Sequence, residues 1–265
     1  MVKFTLRDRL VQQSLRKISD LYSEKPDLFL VTVGGLAVQS YTTNPELYRP
    51  TNDANLMTLR RIPKSEFREV IVKEISDYLK TEGYESKLGK TRYGYEIRVD
   101  DEGQEFYIHL SKFSDAYLQR NAHWKFREFD NAKKVYITEL GVYPLWVHRI
   151  EDVLANKARR LGKLNKNGFV VESDLEEWNR FLDEDFEGLG NVDLAQKLRT
   201  AEQVRGTLIG IGPENFSQNT DTLNKYKVTK DLYDLAILSK TILDGKEPLD
   251  IPYLRNALAT IPTIE

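Results

Sequence analysis

The chain has 265 residues, 40% hydrophobic and 30% charged, with 39 Lys and Arg against 41 Asp and Glu for a formal net charge of -2. That length allows one large or two modest domains, and the composition is that of a globular chain rather than a disordered one. Charge near zero gives no global basic excess to advertise nucleic-acid binding, though local basic patches stay open, and the absence of cysteine excludes disulfides, thiolate metal sites and cysteine nucleophiles.

The opening residues, MVKFTLRDRL, lack the apolar stretch of a secretory signal. No run approaches the roughly 18 apolar residues of a membrane span. A cytoplasmic protein with no membrane association is expected. Thr5–Ser23 reads as an amphipathic helix, with Leu6, Leu10, Leu15, Ile18 and Leu21 at helical spacing. Lys25-Pro26-Asp27 ends it. Leu28–Val33 is a short apolar run that stops at Gly34-Gly35, as a buried strand feeding a tight turn does. A helix from Leu36 to Tyr41, a loop from Thr42 to Pro50 and a strand from Asn52 to Thr58 follow. Pro63–Thr81 predicts a helix with Phe67, Val70, Ile71, Ile75, Tyr78 and Leu79 on one face.

Tyr93–Val99 and Glu105–Ser111 predict a hairpin around the polar turn Asp100-Asp101-Glu102-Gly103. Val135–Thr138 and Val142–Leu145 add edge strands. Beyond Val147 the pattern is helical: Ile150–Leu161, Glu172–Phe181, Val192–Leu208, Thr229–Ile242 and Pro252–Ala259, with Gly162–Gly168 as a turn and Ile209–Asn219 as a linker. The expected fold class is α+β, with a mixed-sheet domain over 1–148 and a helical domain over 149–265. No internal repeat is present.

One unit carries chemistry. From Gly34 to Leu56 the chain runs Gly-Gly turn, helix, loop, then Arg49-Pro50-Thr51-Asn52-Asp53-Ala54-Asn55-Leu56. A Gly-Gly turn lets backbone approach a phosphate closely. Two side chains two apart on a strand share a face, where carboxylates would clamp metal ions that neutralise a triphosphate and activate an attacking hydroxyl. Further along, Lys157 and Arg160 lie three apart, so they share a helix face, and Val153 places Lys157 beside the apolar stripe. Asp231 and Asp234 are also three apart, and Thr229 as N-cap would put Asp231 in a first turn.

Gly34-Gly35-Leu36-Ala37, Arg49, Thr51, Asp53 and Leu56, joined to the helix Glu151–Arg160 and to Lys230-Asp231-Leu232-Tyr233-Asp234, resemble the AbiEii-type toxin nucleotidyltransferases of the polymerase-β-like superfamily. The resemblance implies a nucleotidyltransferase sheet domain and a helical domain with the active site in the cleft between them. It implies transfer of a nucleotide from an NTP to an RNA acceptor, a tRNA end, with Mg²⁺, in a toxin–antitoxin or phage-defence setting where an antitoxin protein is a partner. Gly34 and Gly35 would hold the triphosphate, with Thr51 and Arg160 beside it. Arg49 and Lys157 would neutralise phosphate, Asp53 would bind metal with Asn55 filling the second position, and Asp231 would serve as base or second metal ligand.

Two positions depart from the family. Asn55 stands where a second metal-binding Asp is expected, and His109 where a third carboxylate is common. A neutral amide holds a divalent cation less well than a carboxylate, and imidazole suits magnesium poorly. The alternative is a lapsed nucleotidyltransferase that binds nucleotide or RNA or acts as an interaction module. Taken singly, Lys157 reads as a solvated lysine, Asp231 as a first-turn helix acid, His109 as a sheet histidine and Gly210–Pro213 as a loop. His123–Arg127 interleaves basic and aromatic residues, as an RNA-stacking segment or a rim.

Overall fold

The structure, a computed structural model, describes residues 6, 8–24, 29–42, 51–58, 63–91, 93–112, 127–137, 143–173, 176 and 220–259. The chain divides into two compact units, 2–149 and 150–265. Arg49, the interleaved stretch 123–126, most of the expected helix at 172–181, the expected helix at 192–208 and the linker at 209–219 lie outside the described residues.

The first unit is built on a mixed seven-stranded sheet. Its elements are α1 (Arg9–Glu24), β1 (Val31–Val33), α2 (Gly35–Tyr41), β2 (Asp53–Thr58), a helical run in three segments, β3 (Glu85–Thr91), β4 (Gly94–Asp101), β5 (Gln104–Lys112), β6 (Lys133–Ile137) and β7 (Tyr143–Val147). The helical run comprises α3 (Lys64–Phe67), a π-helical stretch (Arg68–Val72) and α4 (Lys73–Thr81). Strand order is β3-β4-β5-β2-β1-β7-β6. β2 pairs parallel with β5 and antiparallel with β1, while β1 pairs parallel with β7.

Alternation decides which face of the sheet is core. Ala54, Leu56 and Thr58 of β2, Ile97 and Val99 of β4, and Phe106, Ile108 and Leu110 of β5 are buried. Their neighbours along each strand are half-buried or exposed. The apolar stripes of α1 (Leu10, Leu15, Ile18, Leu21) and α4 (Ile75, Leu79) belong to the same core. Tyr78 ties these two helices by donating to Gln13 at 2.6 Å.

The long helix differs from the expected face. Val70 is half-buried and Val72 is buried, because the π-helical stretch spaces Phe67 and Val72 by one wide turn and brings Val72 inward. β3 has no sequence signal. Its residues are exposed or half-buried and mostly polar, and it exists because β4 supplies a pairing edge from Glu85↔Asp100 to Thr91↔Gly94. Gly94 is a packing requirement: a Cβ there would sit 2.0 Å from the Leu110 carbonyl oxygen.

The second unit is helical, with α5 (Ile150–Lys166), α6 (Thr220–Leu243) and α7 (Ile251–Ala259). Two expectations are corrected. Gly162 lies within α5, and the turn comes only at Asn167-Gly168, where Gly168 has φ 73° and Phe169 N–H bonds the Leu164 carbonyl at 3.0 Å. Burial of Leu164 with Val228 and Leu232 draws the helix past its glycine. Thr229 is not an N-cap. α6 begins at Thr220, and the Thr229 hydroxyl bonds back to the Lys225 carbonyl at 3.2 Å. Asp231 therefore sits mid-helix. Among the described residues, no helix is long and apolar enough to cross a membrane.

Candidate active site

The half-exposed face of the sheet gathers the chemistry of the first unit. Asp53 and Asn55 share it because strand period is two, and cross-strand register extends it. Asn55 lies beside Val33 of β1 on one flank and His109 of β5 on the other, and His109 lies beside Glu96 of β4. The next row runs Asp53, Tyr107, Arg98, Lys87.

β1 ends at Gly34, whose φ of 74° and ψ of -139° fall where residues with a side chain are strained. This conformation turns the chain into α2, whose first turn carries no side-chain cap. A Cβ at Gly34 would lie 3.4 Å from the Asn55 amide nitrogen. The glycine turn and the Asp53–Asn55 pair are thus adjacent.

Asp53 is held at both oxygens. The Thr51 hydroxyl donates to Oδ1 at 2.7 Å and the Asn55 amide donates to Oδ2 at 2.8 Å. Thr51 thereby positions the Asp53 carboxylate. The Asn55 contact can be compared with a metal. Magnesium takes oxygen ligands octahedrally at about 2.0–2.1 Å, so adjacent ligands stand about 2.9 Å apart. With the Asn55 amide turned over, its oxygen and Asp53 Oδ2 would form such an edge. A pair so spaced could offer one cation two ligand atoms, with one negative charge fewer than two carboxylates. No cluster of three or more His, Cys, Asp or Glu suited to a metal occurs among the described residues.

The β5 side is aromatic. His109 Nδ1 lies 3.3 Å from Glu96 Oε2. The Tyr107 hydroxyl donates to Glu105, and Glu105 pairs with Arg98. The Tyr107 and His109 rings are parallel within 7°, with centroids 6.2 Å apart. Sequence reasoning singled out His109 but not Tyr107, Glu96, Arg98 or Glu105. A signal existed: the tight turn through Glu102 and Gly103, both at positive φ, sets the hairpin register that brings these residues together.

A second cluster lies in the helical unit. Lys157 of α5 bonds Asp231 Oδ1 at 3.0 Å and also Asp234, while Arg160 grips Asp231 through both carboxylate oxygens. Both aspartates are 0% exposed and Lys157 is 6% exposed. The three-residue spacings place each pair on facing helix sides. In the first turn of α5, buried Glu151 accepts the Asp250 N–H at 2.8 Å and buried Asp152 accepts the Tyr253 hydroxyl at 2.7 Å. These two acids anchor α7, a role the sequence reading did not find.

No protein-family model and no curated protein matches this chain. Among solved structures it is similar to an antigenic nucleotidyltransferase-like protein from Paracoccidioides brasiliensis, at 11% identity over 98% of this chain and 95% of that one, TM-score 0.37. It is similar to the antibiotic-resistance factor ANT(2'')-Ia, at 12% identity over 90% and 96%, TM-score 0.34. It is also similar to Cid1, described for RNA terminal uridylyl transferase activity, at 18% identity over 41% of this chain and 30% of that one, TM-score 0.26. Matches this weak assign no residue a role.

Proposed function

We propose that this chain is a polymerase-β-like nucleotidyltransferase of the AbiEii type, moving a nucleotide from an NTP to an RNA acceptor, a tRNA end, as the toxin of a toxin–antitoxin or phage-defence system in the cytoplasm, with a cognate antitoxin as protein partner. The observation that supports it is the adjacency of the Gly34 turn to the Asp53–Asn55 pair on one open sheet face. Backbone that can approach a phosphate stands beside the ligands that would serve a triphosphate.

In this reading Gly34 and Gly35 receive the triphosphate. Thr51 fixes the Asp53 carboxylate through its 2.7 Å bond, so the ligand is oriented before nucleotide arrives. Asp53 and Asn55 hold Mg²⁺, which when bound supplies positive charge to the triphosphate and to the attacking hydroxyl. Arg49, and Lys157, Arg160 and Asp231 of the helical unit, enter through the family resemblance as phosphate-neutralising and basic groups. Lys157, Arg160 and Asp231 are engaged with one another, so that part of the reading requires the cluster to open or to act as a unit.

A lapsed enzyme that binds nucleotide or RNA is the second reading, favoured by the Asn55–Asp53 hydrogen bond. The amide satisfies Asp53 without any cation. The test is transfer of labelled NTP to total tRNA with Mg²⁺, by this protein and by Asn55→Asp. Transfer by the chain as it stands is expected, rising about 10- to 100-fold in Asn55→Asp as the missing ligand charge returns. Transfer by Asn55→Asp alone supports the lapsed reading, and no transfer by either sinks the enzymatic one.

A further inference from the structure

We infer that Tyr107 and His109 form a stacking platform for the terminal nucleobase of the acceptor strand. This rests on the nucleotidyltransferase reading of the same face. Position carries the first step. The Gly34 turn follows β1, the Asp53–Asn55 pair is on β2, and the two rings are on β5, so the pair lies between the phosphate turn and the rings. Phosphoryl and nucleotidyl transfer place the attacking and leaving oxygens roughly in line across the phosphorus. With the triphosphate on the β1 flank, the attacking group comes from the β5 flank.

Chemistry carries the second step. Tyr107 and His109 are half-buried, and the side chains around them on β4 and β5, Glu96, Arg98, Glu105 and Ser111, are polar or charged. Each ring is fixed at its edge and not over its face: Tyr107 through its hydroxyl to Glu105, His109 through Nδ1 to Glu96. The planes are parallel within 7°, and among the described residues neither ring stacks on any aromatic group but the other. Edge-anchored parallel rings are prepared to receive a flat ligand with little ordering cost. The row continues from Tyr107 to Arg98, half of whose side chain is exposed, and then to Lys87, which is exposed. Arg98 is paired with Glu105, and the adjoining row Glu85, Asp100, Glu105 is acidic, so the rings recruit a strand end by stacking and not by charge. Stacking tolerates any base, so the platform selects a nucleic-acid end and not a particular letter.

The experiment uses the full chain and a short single-stranded RNA ending in 2-aminopurine, whose fluorescence falls when it stacks. Quenching is expected, with Tyr107→Leu and His109→Leu each weakening binding by roughly 5- to 100-fold and Tyr107→Phe retaining it. The same RNA with an abasic end should bind the unaltered protein as weakly as the intact RNA binds Tyr107→Leu. Unquenched binding, a Tyr107→Leu substitution that weakens the abasic RNA as much as it weakens the intact RNA, or quenching of 2-aminopurine riboside triphosphate in place of the RNA end would each overturn the platform. Inorganic triphosphate separates the two ideas. If it fails to bind, the reading of the Gly34 turn fails. If it binds equally to the protein and to Tyr107→Leu while RNA affinity is unmoved by either leucine substitution, only the platform fails.

Discussion

Asp53 illustrates how one neighbour changes what a carboxylate needs. Beside Asn55 and Thr51 both of its oxygens are satisfied by protein donors at 2.8 and 2.7 Å. Beside a second carboxylate it would face repulsion that only a cation relieves. This predicts that Asn55→Asp loses about 1–4 kcal/mol of stability in chelator, the range for like charges about 4 Å apart in a solvent-exposed setting. Mg²⁺ should restore the loss by binding the folded state alone. Urea melts with EDTA or Mg²⁺ measure both, and an Asn55→Asp melt indifferent to Mg²⁺ would remove the pair as a metal site. The sequence makes the amide at position 55 legible. That its donor is turned onto Asp53, and that the Thr51 hydroxyl also meets Asp53, depends on how the strand and its approach are placed.

At the scale of elements, Lys157 acts as a pin between α5 and α6. It lies among Asp231 and Asp234, both out of water. Removing the ammonium takes from both buried carboxylates the cation that lies between them. Lys157→Met should cost about 3–5 kcal/mol, read as a lowered urea midpoint. A phosphate-binding lysine without a structural role would lose transfer and leave the midpoint unchanged. In the sheet, Gly94→Ala should destabilise the β4–β5 hairpin by at least about 1–3 kcal/mol, the usual cost of overpacking, because the new methyl meets a backbone oxygen and not a movable side chain. Thermal melting measures it, and an unchanged melting temperature would contradict the packing. Helix ends show why local signals fell short here. Gly162 looks like a terminus, yet burying Leu164 against Val228 and Leu232 outweighs about 1 kcal/mol of glycine penalty.

Across the whole molecule, two compact units meet in the chain at Arg149-Ile150, close to where the residue pattern turns from alternating to helical. The first unit has its own core under the sheet. The fragment 1–149 should therefore fold alone and unfold cooperatively, with the mixed α/β circular dichroism of the sheet and its helices. A non-cooperative melt would show that the sheet depends on the helical unit. A net charge of -2 leaves RNA attraction to local features rather than to a field over the whole protein.

Periodicity and punctuation by themselves determined the α+β class, the Gly34-Gly35 turn, the hairpin at Glu102-Gly103, and Asp53 and Asn55 on one strand face. These follow from contacts within a few residues, where the period of two or 3.6 and the needs of glycine dominate. Tertiary structure alone decided the rest: β3 formed only because β4 offered an edge, Tyr107 and His109 became a pair of parallel rings beside Asn55, and Lys157, Asp231 and Asp234 became a buried ionic cluster. The ionic cluster and the placing of the rings beside Asn55 depend on partners far away in the chain, and β3 on an edge that only the folded sheet offers; local propensity carries no record of which partner will be in reach.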